Sequence, residues 1–236
     1  MSSIELWLST EESCHYLDNE ISQSSFVAPA YSLTSFIYQQ LLESGFRRSG
    51  NHVYRPQCPN CQACQSSRIA VNQFKANRSQ RRTLSKNQAL NINIQRAVFN
   101  SEHYALYQRY QQARHGDSNM KDASPTEYMD FLSSKWSDTL FVEFLWDDKL
   151  IAVAIIDKLD NALSAVYSFF EPELSHLSLG TYAILWQIQY AKQQQLDWVY
   201  LGFWIEKCQK MAYKTQYIPL QIYQQNQWKN YHENMG

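Results

Sequence analysis

The sequence predicts an α+β protein, because runs with the 3.6-residue period of helices are interspersed with short runs rich in β-branched and aromatic residues. Three strand-like runs in the second half of the chain are separated only by Asp147-Asp148-Lys149 and Asp160-Asn161-Ala162, a pattern typical of an antiparallel meander. With 236 residues, 44% of them apolar, the chain can bury a substantial core. We expect an N-terminal cysteine-containing α/β region, residues 1–88, packed on a mixed-sheet domain, residues 89–236.

The N-terminal region contains a predicted helix over Tyr31 to Ser44, in which apolar side chains recur on one face and Gly45 is placed to end the helix. A hairpin is predicted over Phe46 to Arg55, around a Ser-Gly-Asn turn. The β-branched content of Arg68 to Phe74 favours a strand. A helix is expected to begin at Ser79, where the residue three positions later is not acidic and no capping box supports the start.

In the C-terminal region the pattern of apolar and turn residues predicts a strand from Asn91, two helices, the three-stranded meander, a long helix, a strand, a short helix and a last strand. After that first strand, the predicted bounds in chain order are Ser101 to Arg114, Pro125 to Ser134, Leu140 to Trp146, Leu150 to Lys158, Leu163 to Phe170, Ser178 to Gln194, Trp198 to Phe203, Glu206 to Lys214 and Leu220 to Tyr223. This order of elements resembles the acetyltransferase-like (GNAT) fold, so we expect a GNAT-like domain.

The charge of the chain is unevenly distributed. No Asp or Glu occurs from Ser44 through Ser101, a stretch that holds ten Lys or Arg, whereas the other eleven bases share the chain with all 22 acids. Such a local excess of positive charge favours a polyanion, most commonly a phosphate backbone. A solvated basic face without a partner is the alternative, and charge alone does not decide between them.

The first ten residues contain no basic segment followed by an apolar one, and the longest aliphatic run, Leu150 to Ile156, is too short to span a bilayer. We therefore expect a cytoplasmic protein without membrane association.

Cys58, Cys61 and Cys64 are spaced at three-residue intervals, and Cys14 could supply a fourth ligand for a metal. This spacing is compatible with zinc or an iron-sulfur cluster, and four reduced thiols are the alternative.

Three stretches of the chain are similar to motifs of one family, and the motif Arg114-His115-Gly-Asp117 lies between them. The stretches are Tyr54-Arg-Pro-Gln-Cys58-Pro-Asn-Cys61-Gln-Ala-Cys64 continuing to Arg82, Leu163-Ser-Ala-Val-Tyr167-Ser-Phe-Phe-Glu171-Pro172 with Ser178-Leu-Gly180-Thr-Tyr182, and Tyr200-Leu-Gly202-Phe-Trp204-Ile-Glu-Lys-Cys208-Gln-Lys210-Met211-Ala-Tyr213-Lys214. They resemble the bacterial aspartate/glutamate leucyltransferases, relatives of the eukaryotic arginyl-tRNA protein transferases. Gln209 and Glu171 depart from the family pattern, which usually has Pro and Asp there.

The resemblance implies an aminoacyltransferase. Leucine would pass from leucyl-tRNA to the α-amine of a protein that begins with Asp or Glu, and would mark that protein for degradation in an N-degron pathway. The ester of the charged tRNA is already activated, so the chemistry would require no cofactor. In agreement, the sequence has neither a GxxxxGK[ST] loop nor a GxGxxG turn. A non-catalytic RNA-binding protein and an acyl-CoA-dependent acetyltransferase are the alternatives, and the oligomeric state is open.

Candidate catalytic residues lie in or near the family motifs. They are His115, Asp117, Tyr167, Glu171 and Tyr213. Histidine is the usual proton acceptor near neutral pH. A helix-terminal cap is the alternative role for His115, and a core aromatic is the alternative for Tyr167.

Candidate binding residues are of three kinds. An isolated Arg68, with Lys210 and Lys214, would bind the acceptor, because a planar guanidinium matches a carboxylate. Aromatic side chains would contact the leucyl group, with plain core packing as the alternative; these are Phe170, Phe203 and Trp204. The clustered bases would bind tRNA, with surface salt bridges as the alternative; these are Lys75, Arg78, Arg81, Arg82 and Lys86.

Overall fold

The structure is a computed structural model that describes residues 4–114 and 122–231. Within these residues the helices are α1 (Ser35–Glu43), α2 (Arg78–Lys86), α3 (Ser101–Arg114), α4 (Pro125–Leu132) and α5 (Leu179–Gln193). The strands are β1 (Leu6–Leu8), β2 (Glu12–Ser13), β3 (Ile21–Ser22), β4 (Ser24–Val27), β5 (Arg47–Ser49), β6 (His52–Pro56), β7 (Gln65–Ala70), β8 (Asn91–Arg96), β9 (Asp138–Trp146), β10 (Lys149–Lys158), β11 (Ala162–Phe170), β12 (Trp198–Trp204), β13 (Leu220–Gln224) and β14 (Gln227–Asn230).

An eight-stranded mixed sheet organises the molecule, in the order β14-β13-β7-β12-β11-β10-β9-β8. Strands β8 to β11 form an antiparallel series, β12 runs parallel to β11, and β7 runs antiparallel to both β12 and β13. Strand β7 precedes position 88 yet lies in the middle of this sheet. The sheet therefore contains strands from both sequence regions.

Both faces of the large sheet are covered by helices. On one face α5 packs over a core that includes Ile69, Phe144, Ile156 and Leu163. On the other face α3 and α4 cover β9 to β11 and contact the side chains of Phe141, Val153 and Ile155. Helix α1 packs into a separate hydrophobic cluster. This alternation along β10 follows from the two-residue period of a strand buried on both faces.

The predicted fold class is confirmed. The meander, the long helix after it and the parallel strand that follows occur in the GNAT-like order expected from the sequence. Bounds agree closely for α3, and the hairpin β5–β6 forms around Gly50 as predicted. Strands β1 and β4, which extend this hairpin to a four-stranded sheet in the order β1-β4-β6-β5, and the edge strand β14 were not predicted, because these strands are short and carry little periodicity.

Three local predictions are corrected by the structure. Strand β7 ends at Ala70, since Val71–Gln73 form a 3-10 turn in which the Val71 N–H donates to the Asp197 carbonyl. The predicted short helix after β12 is a 3-10 segment over Gln209–Gln216. Helix α2 begins one residue earlier than expected and does have a capping box, which Asn77 and Gln80 form without an acidic residue.

A buried ion pair joins the β5–β6 hairpin to the large sheet. The Arg48 Nε donates to Asp157 Oδ2 at 2.5 Å, and its Nη2 donates to Asp157 Oδ1 at 2.7 Å and to the Leu132 carbonyl at 3.0 Å. Thr139 Oγ1 accepts from Arg48 and donates to Asp157. Both charged side chains are fully buried, so this network determines how the hairpin sits on β10.

No helix in the described ranges has the length and apolar content needed to cross a bilayer.

Candidate active site

The large sheet opens between its two parallel strands. Strands β11 and β12 pair only from Ala162 to Ser164 and from Trp198 to Tyr200, after which each continues without the other, to Phe170 and Trp204. A register shift between Tyr200 and Gly202 marks an irregularity in β12 on its other side, against β7. Such bulges are frequent beside active sites because they redirect a strand. The divergence leaves room for a ligand between the carboxyl ends of the two strands.

A cavity of about 540 Å³ lies beside the carboxyl end of β11, and we call it the β11–α5 cavity. It is lined by Tyr110, Arg114, Ser168, Phe170, Ser175, Ser178, Leu179, Gly180, Thr181, Ile184, Lys210 and Tyr213. These residues come from α3, β11, the start of α5 and the 3-10 segment that follows β12. The described part of the lining combines an apolar wall with two cations and contains no carboxylate, so its chemistry favours an apolar group attached to an anion.

The apolar wall of the β11–α5 cavity is built around Phe170. Its ring contacts Tyr110 edge-on, with centroids 4.9 Å apart, and the Arg114 guanidinium lies 5.8 Å from its centre. A side chain on Gly180 would place its Cβ 3.1 Å from Phe170, so the start of α5 approaches the ring closely. Burial raises the pKa of Tyr110, although the charge of Arg114 opposes this change. Tyr110 therefore stays protonated at neutral pH.

A cationic group adjoins this cavity. Lys214 is only 6% exposed, and its Nζ donates to the Phe203 carbonyl. Removal from water, followed by the charge of Arg47, lowers the pKa of Lys214 to about 7. The neighbouring Tyr213 is 44% exposed, and desolvation raises its pKa while Arg47 lowers it. Among the described residues, neither Arg47 nor Lys214 has a carboxylate partner.

The depressed pKa of Lys214 predicts a stability that depends on pH. The unfolded chain holds this proton up to its ordinary pKa of 10.5, whereas the folded chain releases it at about 7. Stability should therefore rise between these two values, and the penalty for burying the charge should be fully present below the lower one. In Lys214→Met this rise should disappear, as measured by urea unfolding from pH 6 to 9.5. The exposed Lys210→Met is the matched control, and an unchanged slope in Lys214→Met would contradict the prediction.

The basic helix α2 is anchored to both segments that line the β11–α5 cavity. The side chain of Gln80 donates to the Gln216 carbonyl at 2.9 Å, next to the segment that carries Lys210 and Tyr213. At the other end, Lys86 Nζ donates to the His176 carbonyl at 2.7 Å and Asn87 Nδ2 donates to the Leu177 carbonyl at 2.9 Å. The exposed side chains of Lys75, Arg78, Arg81 and Arg82 lie on or just before this helix. The structure thus brings the predicted tRNA-binding residues beside the cavity.

Arg68 lies elsewhere, on the face of the sheet that α1 covers. Its guanidinium carbon is 3.5 Å from the ring centre of Trp198 and 4.2 Å from that of Trp228. Its Nε donates to Gln221 at 2.9 Å and its Nη1 to the Tyr200 hydroxyl at 3.3 Å. Burial lowers the pKa of Arg68. The structure does not bring this residue to the cavity that Lys210 lines.

The catalytic candidates are dispersed. His115 and Asp117 lie outside the described residues. The Tyr167 hydroxyl accepts from Gln111 at 3.0 Å, and burial raises the pKa of Tyr167 well above its ordinary value. Glu171 pairs with Arg109 at 2.9 Å and lines a different cavity of about 740 Å³. Of the five candidates, the described structure places only Tyr213 in the β11–α5 cavity.

The three aromatic candidates for the leucyl pocket are also separated. Phe170 lines the β11–α5 cavity. Phe203 lines a cavity of about 810 Å³ together with Cys58, Cys61 and Cys64, whereas Trp204 lines another of about 560 Å³. The structure therefore places Phe170 alone of the three in the candidate active site.

The N-terminal cysteines lie near one another but do not form a ligand set. Burial, and then the negative charges of Cys58, Cys14 and Cys61, raise the pKa of Cys64 to about 12. Within the ranges that the structure describes, no three His, Cys, Asp or Glu side chains are arranged to hold a metal ion. Zinc or an iron-sulfur cluster at these cysteines stays a prediction, and the reaction below is derived without either.

Sequence reasoning missed Arg47, Tyr110 and Arg114 as site residues. Arg47 stands next to Arg48 in the acid-free stretch, and a strand sends neighbouring side chains to opposite faces. That alternation was the available signal, since one of two adjacent arginines in a hairpin must point away from the core.

The split parallel strands, the helix that follows β11 and the cavity beside it define a protein of acetyltransferase-like architecture. Comparison with known sequences is more specific. The family models "Arginine-tRNA-protein transferase, C terminus" and "N terminus" match residues 102–224 and 12–82. The chain belongs to this aminoacyl-tRNA protein transferase family, and the resemblance stated from the motifs is confirmed.

Individual relatives cover nearly the whole chain. The aspartate/glutamate leucyltransferase of Hahella chejuensis is 43% identical over 228 residues, and that of Saccharophagus degradans is 44% identical over 229, with 97% of each chain covered in both cases. Among solved structures, the C-terminal domain of a putative lysylphosphatidylglycerol synthetase from Agrobacterium fabrum superimposes with a TM-score of 0.47 at 11% identity, covering 74% of this chain and 53% of that one. A tandem GNAT protein from the clavulanic acid biosynthesis pathway gives 0.41 at 12% identity, over 88% and 57%.

Proposed function

We propose that the protein transfers leucine from leucyl-tRNA to the α-amine of proteins that begin with Asp or Glu. The relatives named aspartate/glutamate leucyltransferase support the reaction. The observation that carries the proposal in this chain is the position of α2, a basic helix hydrogen-bonded to two segments beside a cavity whose described lining contains no carboxylate. A polyanion bound along α2 can place its 3′ end in that cavity.

The lining of the β11–α5 cavity supports leucine as the transferred group. Phe170, Leu179 and Ile184 offer apolar contact to a branched side chain. Among the lining residues that the structure describes, an arginyl side chain would find no carboxylate and would meet the charges of Arg114 and Lys210. Burying an unpaired cation beside two others is costly. The cavity therefore favours leucine over arginine.

The reaction joins the acceptor nitrogen to the ester carbonyl carbon. The neutral α-amine attacks, the ester carbon–oxygen bond breaks, and the proton lost by the amine ends on the departing 3′-oxygen of the tRNA. Cations around the site disfavour a protonated amine and stabilise negative charge that develops on the carbonyl oxygen. Lys210 and Arg114, which line the β11–α5 cavity, supply that field, and the site holds the two substrates in register.

The test is transfer of labelled leucine from leucyl-tRNA to a peptide that begins with Asp, without coenzyme A. We expect label in the peptide with the wild-type protein. Binding of tRNA without transfer would instead indicate a non-catalytic RNA-binding protein, and transfer that requires an acyl-CoA would indicate an acetyltransferase. Either result would overturn the proposal.

Neutralising the basic helix should weaken tRNA binding. In the triple variant Arg78→Gln/Arg81→Gln/Arg82→Gln we expect about 100-fold lower affinity for tRNA at 0.1 M salt. Because three phosphate contacts are lost, the slope of log affinity against log salt concentration should be smaller in magnitude by about 3. Filter binding over a salt series measures both. The matched control is Lys135→Gln/Lys149→Gln/Lys192→Gln, three exposed lysines outside α2. Equal losses in the two triple variants would contradict a specific role for α2.

A further inference from the structure

We propose that Arg47, rather than Arg68, binds the acidic side chain of the acceptor protein. This inference rests on the proposed function and adds to it the residue that distinguishes Asp and Glu from neutral N-terminal residues.

The hairpin that carries Arg47 directs it into the opening between the parallel strands. Its neighbour Arg48 points into the core and pairs with Asp157, so the alternation of β5 sends Arg47 to the other side. There its Nη1 would be 3.1 Å from a Cβ at Gly202, and its guanidinium carbon is 5.6 Å from the centre of the Phe203 ring. Arg47 also lines a small cavity with Ser164 to Val166 of β11 and with Tyr200 and Gly202 of β12. It therefore lies where the two strands separate.

Arg47 has no acidic partner in the described parts of the chain. Titratable side chains whose pKa shifts with the charge of Arg47 include Tyr16, Tyr38, Tyr213 and Lys214, none of which is an acid at neutral pH. A half-buried guanidinium next to a buried lysine is electrostatically unfavourable unless an anion joins them. The planar guanidinium fork has the geometry that a carboxylate requires.

The position of Arg47 is also compatible with the reaction geometry. Tyr213 feels the charge of Arg47 and lines the β11–α5 cavity, so the arginine and the cavity share this side chain as a neighbour. An acceptor whose α-amine enters from the strand opening would have its first side chain near Arg47. The leucyl ester would occupy the β11–α5 cavity.

Arg68, by contrast, already has partners on four sides. Trp198 and Trp228 stack on its guanidinium, and Gln221 and Tyr200 accept from two of its nitrogens. These contacts hold the guanidinium between the two tryptophans, away from the opening between β11 and β12. We assign Arg68 the structural role of joining β14 to the sheet through Trp228.

The experiment compares Arg47→Gln with Arg68→Met in two measurements. The first is leucine transfer to two peptides that differ only in an N-terminal Asp or Asn. The second is equilibrium binding of the same peptides in the absence of tRNA. For Arg47→Gln we expect kcat/KM with the Asp peptide to fall about 100-fold, because one partner of a charged hydrogen-bonded pair is removed. Transfer to the Asn peptide, which offers Arg47 no carboxylate, should fall far less, so that the preference for Asp is lost. Arg68→Met should retain the preference for Asp and unfold at a lower temperature.

Arg47→Lys keeps the positive charge but loses the planar guanidinium, so we expect it to retain part of the preference for Asp over Asn. That result would identify the preference as electrostatic even if Arg47→Gln folds poorly. A wild-type protein that binds the Asp peptide through Arg47 but transfers no leucine would contradict the proposed function and leave the Arg47 site standing. The inference is overturned if wild type shows no binding preference for Asp, or if Arg47→Gln retains that preference. Loss of the preference in Arg68→Met alone would restore Arg68 as the acceptor-binding residue.

Discussion

Replacing Arg48 by methionine is expected to destabilise the protein by about 3–5 kcal/mol, the cost typical of leaving one partner of a buried ion pair unpaired. Asp157 would lose two hydrogen bonds from the guanidinium, and the Leu132 and Gly50 carbonyls would each lose a donor. Equilibrium urea unfolding followed by tryptophan fluorescence measures the change.

The double variant Arg48→Met/Asp157→Leu distinguishes two causes of the stability loss in Arg48→Met. One is the loss of the attraction between the two side chains, and the other is the buried, unpaired charge left on Asp157. Because an apolar pair of similar volume can replace a buried ion pair at little cost, the double variant should be more stable than Arg48→Met alone. A double variant that is as unstable as the sum of the two single ones would show instead that the hairpin depends on the attraction itself.

The second large effect is expected at Gly50, the tip of the β5–β6 hairpin. Its φ is +57°, and a Cβ there would lie 2.1 Å from the backbone oxygen of Asp130. Gly50→Ala therefore combines a left-handed conformation, which costs roughly 1–2 kcal/mol, with an overlap that must displace α4, which costs roughly 1–3 kcal/mol. We expect a loss of about 3 kcal/mol in urea unfolding.

Gly45→Ala provides the matched comparison. This glycine is also left-handed, with a φ of +83°, but a Cβ there would meet the Tyr223 side chain, which can move, rather than backbone. We expect Gly45→Ala to cost less than Gly50→Ala. Equal losses would mean that the contact with α4 contributes nothing beyond the conformational cost. Gly50 and Arg48 lie in the hairpin that also carries Arg47. We therefore expect Gly50→Ala and Arg48→Met to displace Arg47 and to reduce leucine transfer.

Much of the candidate site was predictable from local sequence. The acid-free run predicted where positive charge accumulates, and α2 carries that charge beside the cavity. Phe170, Lys210 and Tyr213 were chosen from motifs and line the same cavity. Glu171 and Tyr167 were chosen in the same way and lie outside it, because a strand sends adjacent side chains to different environments that a motif does not distinguish.

By itself the sequence determined the order of helices and strands, the family and the segment that carries the basic charge. These depend on periodicity, composition and motif spacing, which are properties of neighbouring residues. Only the tertiary structure decided the environment of each arginine. Arg68 is enclosed by tryptophans from two distant strands, whereas Arg47 enters the opening between β11 and β12 because Arg48 beside it is held in the core. The physical reason is that a side chain's solvation and partners come from residues remote in the chain, and strand pairing brings those residues together.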